Sequence, residues 1–321
     1  MVKTSDFDYH LPAELIAQQP LPDRAASRMM IVDRATGAIR HDQFGNVGRY
    51  LLPGDLLVLN DTKVIPARIW ASKPAVELLL VEKIDANRWS ELVKPAKKAR
   101  PGVTLTFKDA ALTAAVEGAT DFGGKVLRFS GDVSTYMEKF GAAPLPPYIK
   151  RPAREAADLE RYQTVFAQRA GAIAAPTAGL HFTPEMLAKF RHAFITLHFG
   201  IGTFRPVKME NVEDHKMHAE KFVVPAETRD AIQKAKRVVA VGTTVVRALE
   251  STSTGSTDLF IRQGFEFRVV DVLLTNFHLP RSTLLMLVCA FAGRELTLRA
   301  YEEAVCERYR FFSYGDCMLI L

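Results

Sequence analysis

The sequence has little cysteine and no long apolar run. Its three cysteines, Cys289, Cys306 and Cys317, form no CxxC pair and stand among mostly apolar neighbours, which indicates small buried hydrophobes ahead of disulfides or zinc ligands. The runs VELLLV and STLLMLVCAFAG are too short to span a bilayer. The first residues, MVKTSDFDYH, carry acids where a signal peptide has an apolar core. We therefore expect a cytoplasmic protein without a membrane association.

The chain has a globular composition and a modest excess of positive charge. Its 321 residues exceed the size at which one core usually stops growing, so two domains are expected. A net charge of +6 favours an anionic partner. Residues 67–150 contain 13 Lys and Arg against 9 Asp and Glu, and residues 94–108 contain five basic residues and no acid. The basic character is therefore concentrated in one part of the chain.

Two kinds of pattern predict the fold. Residues 76–131 are short runs rich in Val, Leu, Thr and Phe, closed by turn residues, which is typical of a small antiparallel barrel or sandwich. Around them, strands alternate with helices, which indicates an α/β domain with a mixed or largely parallel sheet. We therefore predict a discontinuous α/β catalytic domain at 1–66 and 150–321, and an inserted β-barrel domain at 67–149.

Two glycine turns are candidates for ligand binding. In GIGTFRP (200–206) two glycines follow a strand, where a ligand can approach bare backbone. A third glycine is missing and Pro206 prevents an ordinary helix start, so a dinucleotide fingerprint is excluded and a simple tight turn is the alternative. In AVGTTVVRALES (240–251) a helix start and Arg247 offer an anion site. The alternative there is a helix capped by threonine.

Three histidines, His181, His198 and His278, stand between apolar neighbours. A buried imidazole needs a partner for each ring nitrogen, so each is either a satisfied core histidine or part of a site. The carboxyl ends of strands bind ligands in α/β proteins. We therefore predict that the three line one pocket as neutral hydrogen-bonding groups or proton carriers.

A metal site is the weaker interpretation of HKMHAEKF (215–222). His215 and His218 have a ligand-like spacing, with Glu220 nearby. However, Lys216 and Lys221 repel a cation, and no carboxylate cluster completes the site. We predict no metal.

Several long motifs together resemble one family over essentially the whole chain. DFDYHLPAELIAQQPLPDRAASRMM, LLVLNDTKVIPAR, YQTVFAQRAGAIAAPTAGLHFTPEML, TLHFGIGTFRPV, VGTTVVRALES, LLTNFHLPRSTLLMLV and YRFFSYGDCMLI occur in this order. They are similar to the S-adenosylmethionine:tRNA ribosyltransferase-isomerases of queuosine biosynthesis.

The resemblance implies a reaction. The ribosyl moiety of S-adenosylmethionine is transferred and isomerised onto 7-aminomethyl-7-deazaguanine (preQ1) at the wobble position of tRNA, which forms epoxyqueuosine and releases adenine and methionine. S-adenosylmethionine is consumed as a substrate, so no separate cofactor is expected. The anticodon loop of tRNA is the expected partner, and we expect a monomer.

Site residues are assigned on the patterns and the resemblance together. The expected catalytic residues are His181, His198, His278 and Asp316. The expected S-adenosylmethionine-binding residues are Thr177, Gly200, Gly202, Thr203, Arg205, Thr243, Thr244 and Arg247. The expected tRNA-binding residues are Asn60, Asp61, Arg68, Lys94, Lys97, Lys98 and Arg100. Asp316 is either a partner for a histidine or a cap, and NDTK at 60–63 is alternatively a structural turn.

Two other functions share these features. A tRNA methyltransferase uses the same donor and a basic surface, but it releases S-adenosylhomocysteine. A non-catalytic RNA-binding barrel protein binds without turnover. The family also has longer loops at three joins, 72–74, 191–193 and 251–257, so these are either real deletions or places where a flexible segment is absent.

Overall fold

A nine-stranded mixed sheet and a closed six-stranded barrel organise the chain, and a small parallel pair of strands lies beside them. The computed structural model describes residues 2–108, 112–120, 122–150, 156–198, 207, 209–215, 217–252 and 255–321. The predicted fold class, an α/β domain with an antiparallel barrel inserted, is confirmed.

The strands of the large sheet are β1 Arg28–Val32, β2 Ile39–Gln43, β3 Asp55–Asn60, β12 His192–Leu197, β13 Glu220–Val223, β14 Arg237–Val241, β15 Ser256–Thr257, β16 Val272–Asn276 and β17 Cys317–Ile320. The barrel strands are β5 Arg68–Lys73, β6 Ala75–Lys83, β7 Arg88–Lys94, β8 Thr104–Phe107, β9 Thr113–Ala119 and β10 Lys125–Phe129. The small pair is β4 Thr62–Val64 and β11 Arg169–Ala172. The α-helices are α1 Val133–Phe140, α2 Ala156–Arg161, α3 Pro184–Leu187, α4 Ala226–Gln233, α5 Thr243–Glu250, α6 Thr283–Ala292 and α7 Arg294–Cys306.

Strand direction in the large sheet brings many loop residues to one edge. The neighbours β12, β3, β14 and β16 are parallel, so their carboxyl ends meet at that edge. β17 is antiparallel to β16 and parallel to β1, so the amino ends of β17 and β1 reach the same edge. We call it the carboxyl edge; residues 60–62, 198, 242–244 and 275–278 lie along it.

The central strands are nearly continuous apolar runs, which is typical of a sheet that is buried on both faces. All residues of β3, β16 and β17 are buried. Helix α6, an apolar run that the sequence did not identify as a helix, packs in the same core and begins at Ser282, whose hydroxyl accepts from the Leu285 amide. These buried strands hold the carboxyl edge in fixed register.

The barrel has its own core, which includes Leu78, Leu105 and Leu127, and helix α1 packs on it. Its strands fall within the predicted 67–149 insertion; the domain boundaries themselves stay a prediction. The short join at 72–74 is a tight connection, since Ser72 pairs with Ala75.

The start of helix α3, the burial of the three cysteines and the length of the helices complete the description of the fold. Thr183 caps helix α3, Pro184 is its first residue, and the helix ends at Leu187. Cys289 and Cys317 are buried as predicted, whereas the prediction for Cys306 is wrong because this thiol is exposed. Among the described residues, no helix combines the length and the apolar character needed to cross a membrane.

Candidate functional site

A cleft of about 70 Å³ lies at the carboxyl edge, where β14 and β16 end. Its wall is largely apolar, but seven of the lining residues carry a hydroxyl group. The polar residues lining it are Tyr148, Thr177, Thr243, Thr244, Thr275, Asn276, His278, Ser282 and Ser313. Four of the predicted site residues, Thr177, Thr243, Thr244 and His278, therefore meet here. We call it the hydroxyl cleft.

Helix α5 begins at the wall of the hydroxyl cleft. Its N-cap is Gly242, with φ of +99° and no side-chain capping bond. The alternative of a threonine-capped helix is therefore wrong. Gly242 takes a backbone conformation that favours glycine, and the first-turn amides keep the partial positive charge that attracts a carboxylate or phosphate.

His278 is held rigidly at the same wall. Its Nε2 is 2.8 Å from the Thr275 hydroxyl, its amide donates to the Tyr301 hydroxyl oxygen and its carbonyl accepts from the Tyr9 hydroxyl. Burial lowers the pKa of His278 to about 3. The imidazole is therefore neutral at neutral pH and is suited to hydrogen bonding.

His181 is a satisfied core histidine. Its Nδ1 is 2.9 Å from the Ser27 hydroxyl and its Nε2 is 3.3 Å from the Asn276 amide oxygen. Burial is the main cause that lowers the pKa of His181 to about 4. Both ring nitrogens are occupied, and Asn276 in turn donates to the Phe312 carbonyl. The geometry favours a positioning role for His181 behind the hydroxyl cleft.

A second, larger cavity of about 670 Å³ lies between the barrel and the large sheet, and we call it the junction cavity. On the barrel side it is lined by Val81, Glu82, Lys83, Trp89 and Phe122, with Ser134, Met137 and Glu138 from α1. On the other side it is lined by Ile65, Pro66, Ala170, Gly171, His198, His218, Ala219, Glu220 and Lys221. Residues 170–178 border both cavities, since Ala175–Ala178 line the hydroxyl cleft.

His198 and His278 each have one ring nitrogen without a partner among the described residues, and of the two only His198 lines the larger cavity. The Nδ1 of His198 is 2.7 Å from the Thr62 hydroxyl, and among the described residues its Nε2 has no hydrogen-bond partner. Burial lowers the pKa of His198; the nearby Asp61 carboxylate raises it and the Arg169 guanidinium lowers it. His198 is thus neutral at neutral pH, with one nitrogen available to accept a proton.

Gly171 on β11 makes room for the His198 ring. Its φ is +148°, and a Cβ added there would lie 3.0 Å from the imidazole. Any larger residue therefore strains the backbone and displaces the ring. Neither Gly171 nor Thr62 was identified from the sequence, although both lie in motifs that carry the resemblance.

The three histidines share an edge but not a pocket, so the prediction of one common pocket is wrong. His278 lines the hydroxyl cleft and His198 the junction cavity, while His181 borders a separate space of about 20 Å³. β12 and β16, which precede His198 and His278, are three strand spacings apart, roughly 14 Å.

Two predicted site residues have other partners. Arg247 is buried, pairs with Glu220 and donates to the Leu259 carbonyl, so its charge is neutralised away from the helix start. The carboxylate of Asp316 accepts from the amides of Arg28 and Arg310. It ties the start of β1 to that of β17 and, among the described residues, bonds to no histidine.

The predicted tRNA-binding residues divide into two groups. Asn60 is 1 % exposed and exchanges hydrogen bonds with the backbone of Leu197. Asp61 accepts from the Thr196 hydroxyl, and Arg68 pairs with Glu77. These geometries favour structural roles. The other four, Lys94, Lys97, Lys98 and Arg100, are exposed at one end of the barrel.

Gly200, Gly202, Thr203 and Arg205 lie outside the described residues. Within the described part of the chain, no three His, Cys, Asp or Glu side chains are grouped to hold a metal. His215 packs edge-on against Phe260 and Glu220 is paired with Arg247.

Known proteins resemble this chain along its whole length. The family model described as queuosine biosynthesis protein matches residues 4–320. Proteins named S-adenosylmethionine:tRNA ribosyltransferase-isomerase from Halothermothrix orenii and Symbiobacterium thermophilum are 49% and 51% identical, each with 100% of both chains covered. A crystal structure of S-adenosylmethionine tRNA ribosyltransferase from Thermotoga maritima is similar with a TM-score of 0.56 and 41% identity, over 99% of this chain and 100% of that one. The chain belongs to the queuosine biosynthesis protein family.

Proposed function

We propose that this protein is an S-adenosylmethionine:tRNA ribosyltransferase-isomerase. It transfers and isomerises the ribosyl moiety of S-adenosylmethionine onto preQ1 at the tRNA wobble position, forms epoxyqueuosine and releases adenine and methionine. The relatives' names support the reaction. The observation that carries the proposal is His198, a neutral imidazole whose Nε2 has no partner among the described residues and which lines a large cavity. The segment 170–178 runs from this cavity to the hydroxyl cleft.

The donor's methionyl end fits the hydroxyl cleft. The α5 start provides amides without a side-chain cap for the carboxylate, and the threonine and serine hydroxyls provide further hydrogen bonds. The cleft is too small for the whole molecule, so the sugar and sulfonium extend along residues 170–178 toward His198. The roughly 14 Å between the two strand ends suits a ligand that spans both cavities.

His198 is the proposed base. A sulfonium makes the adjacent C5′ hydrogens acidic, and a positioned neutral histidine removes one of them. If Nδ1–H donates to the Thr62 hydroxyl, the lone pair lies on Nε2, the nitrogen without a described partner. The imidazolium that forms is stabilised by Asp61, whose charge favours the protonated ring. The substrate supplies the reactive group, so the proposal includes no other cofactor.

One chain supplies both cavities, so we propose a monomer, acting in the cytoplasm where tRNA is modified. The acceptor is a base in a single-stranded loop, which proteins recognise by stacking and by contacts to base edges. The exposed basic residues of the barrel are proposed to hold the phosphates around it.

Product analysis tests the proposal. With S-adenosylmethionine and an anticodon stem–loop carrying preQ1, we expect equal amounts of adenine and methionine, measured by liquid chromatography with mass spectrometry. S-adenosylhomocysteine would identify a methyltransferase, and binding without products would identify a non-catalytic RNA-binding protein.

His198→Gln should lower kcat about 10²- to 10⁴-fold, the usual contribution of a general base. His192→Gln is the matched control and should retain activity, because His192 begins β12 at the end of the strand opposite to His198. Equal activity in both variants would remove His198 from the chemistry.

A further inference from the structure

We propose that the junction cavity is the pocket for the acceptor base of the RNA, and that the Trp89 indole N–H donates to an oxygen or nitrogen acceptor on that base. The inference rests on the proposed function and names the site where its second substrate binds. Three features of the cavity carry it: an unpartnered donor, a balanced charge and a position opposite His198.

The first feature is Trp89 itself. The residue lines the cavity and is 6 % exposed, and its Nε1 has no hydrogen-bond partner among the described residues. Buried indole N–H groups normally find an acceptor. The indole lines the cavity while its N–H is buried, so a ligand that packs against the ring can supply the missing acceptor.

The second feature is the charge of the wall. Glu82 is paired with Lys221, 3.2 Å apart, and Glu220 is paired with Arg247. Among the described lining residues, the remaining charges, Lys83 and Glu138, have opposite signs. The wall is therefore balanced and does not resemble a phosphate site, which gathers cations.

The rest of the wall suits a flat ring. Phe122, Val81 and Met137 provide aromatic and apolar surface. Bases of single-stranded RNA are bound by stacking on such surfaces together with hydrogen bonds to their edges. A volume of about 670 Å³ is ample for a base with its sugar.

The third feature is position. Trp89 belongs to the barrel strand β7, whereas His198 follows β12 of the large sheet, and both line the same cavity. A base held by Trp89 therefore lies beside the proposed base catalyst. Lys94, at the other end of β7, is five residues from Trp89, roughly 17 Å along the strand. That distance places the exposed basic residues at neighbouring phosphates, not at the base.

Fluorescence tests the pocket without altering it. The chain has two tryptophans, and Trp70 lies on β5 and does not line the cavity. In a Trp70→Phe variant, Trp89 is the single tryptophan. We expect its emission to change saturably with the preQ1 stem–loop and to stay unchanged with S-adenosylmethionine alone. A response to the donor alone, or none at saturating RNA, would overturn the assignment.

Kinetics test the hydrogen bond. Trp89→Phe keeps an aromatic ring but removes the N–H, so KM for the stem–loop should rise about 5- to 10-fold, the effect of one lost hydrogen bond. KM for S-adenosylmethionine should not change, and Trp70→Phe, the matched control, should change neither. A wild-type KM for RNA in Trp89→Phe would refute this inference while adenine release still supported the proposed reaction; no adenine release by the wild-type enzyme would refute the reaction itself.

Discussion

Neighbouring hydrogen-bond partners decide what each imidazole at the carboxyl edge can do. His181 has a partner for both ring nitrogens, Ser27 and Asn276, so it has no nitrogen left for a substrate. His198 keeps one nitrogen without a described partner and faces the larger cavity. All three histidines stand between a leucine and a phenylalanine in the sequence. The partners that distinguish His181 from His198 are distant in the chain.

The charges around His198 predict the pH dependence of the reaction. The base must be neutral, so activity is full above the pKa of His198 and is lost as pH falls through it. Because burial lowers this pKa below 6.5, the acid limb of kcat/KM should lie below pH 6.5. Arg169 also lowers the pKa, so Arg169→Ala should raise it and move the acid limb to higher pH.

A pH profile of kcat/KM for wild type and Arg169→Ala measures this. Arg191→Ala is a suitable control, because Arg191 lies just before β12 at the opposite edge of the sheet, and its profile should match that of wild type. If the acid limb of kcat/KM moved to lower pH in Arg169→Ala, His198 would be excluded as the titrating group.

At the scale of elements, the alternation of strands and helices in the α/β part was predictable because propensity, caps and burial agree there, although the apolar helix α6 was not identified. The side chain of Asn60 makes a contact that the local sequence pattern does not predict. The motif NDTK was interpreted as either a turn or an RNA contact, but the Asn60 side chain bonds to the backbone of Leu197, 137 residues away. Such a contact depends on strand order, which a local pattern does not contain.

Barrel strand β7 carries a buried carboxyl group whose effect on stability is testable. Glu91 is fully buried, its oxygens have no described hydrogen-bond partner, and burial raises its pKa well above 4.5. A raised carboxyl pKa means that its contribution to stability is full below the unfolded pKa and is lost as pH rises toward the folded one. Glu91→Gln should therefore stabilise the protein relative to wild type, by about 1–3 kcal/mol at pH 8 and less at pH 5.

Urea unfolding of both proteins at pH 5 and pH 8 provides the measurement. Glu117→Gln, at an exposed position on barrel strand β9, controls for the loss of one negative charge, because its surface ion pair with Arg128 contributes little to stability. A stabilisation that is equal at both pH values would show that Glu91 is not held neutral in the folded protein.

At the scale of the whole molecule, the chain leaves the large sheet after β3, builds the barrel and returns to form β12. The insertion was predictable because the barrel segments are short and lack helices between them. The junction cavity was not, since it is formed by residues from Ile65 to Lys221 that only the packed domains bring together. This arrangement separates a charge-balanced cavity from the exposed basic end of the barrel.

That separation predicts which lysines determine the salt dependence of RNA binding. If Lys97 and Lys98 contact phosphates, Lys97→Ala/Lys98→Ala should weaken binding and flatten the slope of log Kd against log salt by about 1.5, since each phosphate contact contributes roughly 0.7–0.9. Lys189 and Lys234 are also exposed but lie at the opposite edge of the sheet, next to the starts of β12 and β14. Lys189→Ala/Lys234→Ala removes the same charge and should leave the slope unchanged.

Fluorescence anisotropy of a labelled stem–loop measures Kd for both double variants between 50 and 200 mM salt, about the range over which such slopes are resolved. Equal flattening in both double variants would mean that overall charge, and not the barrel, attracts the RNA.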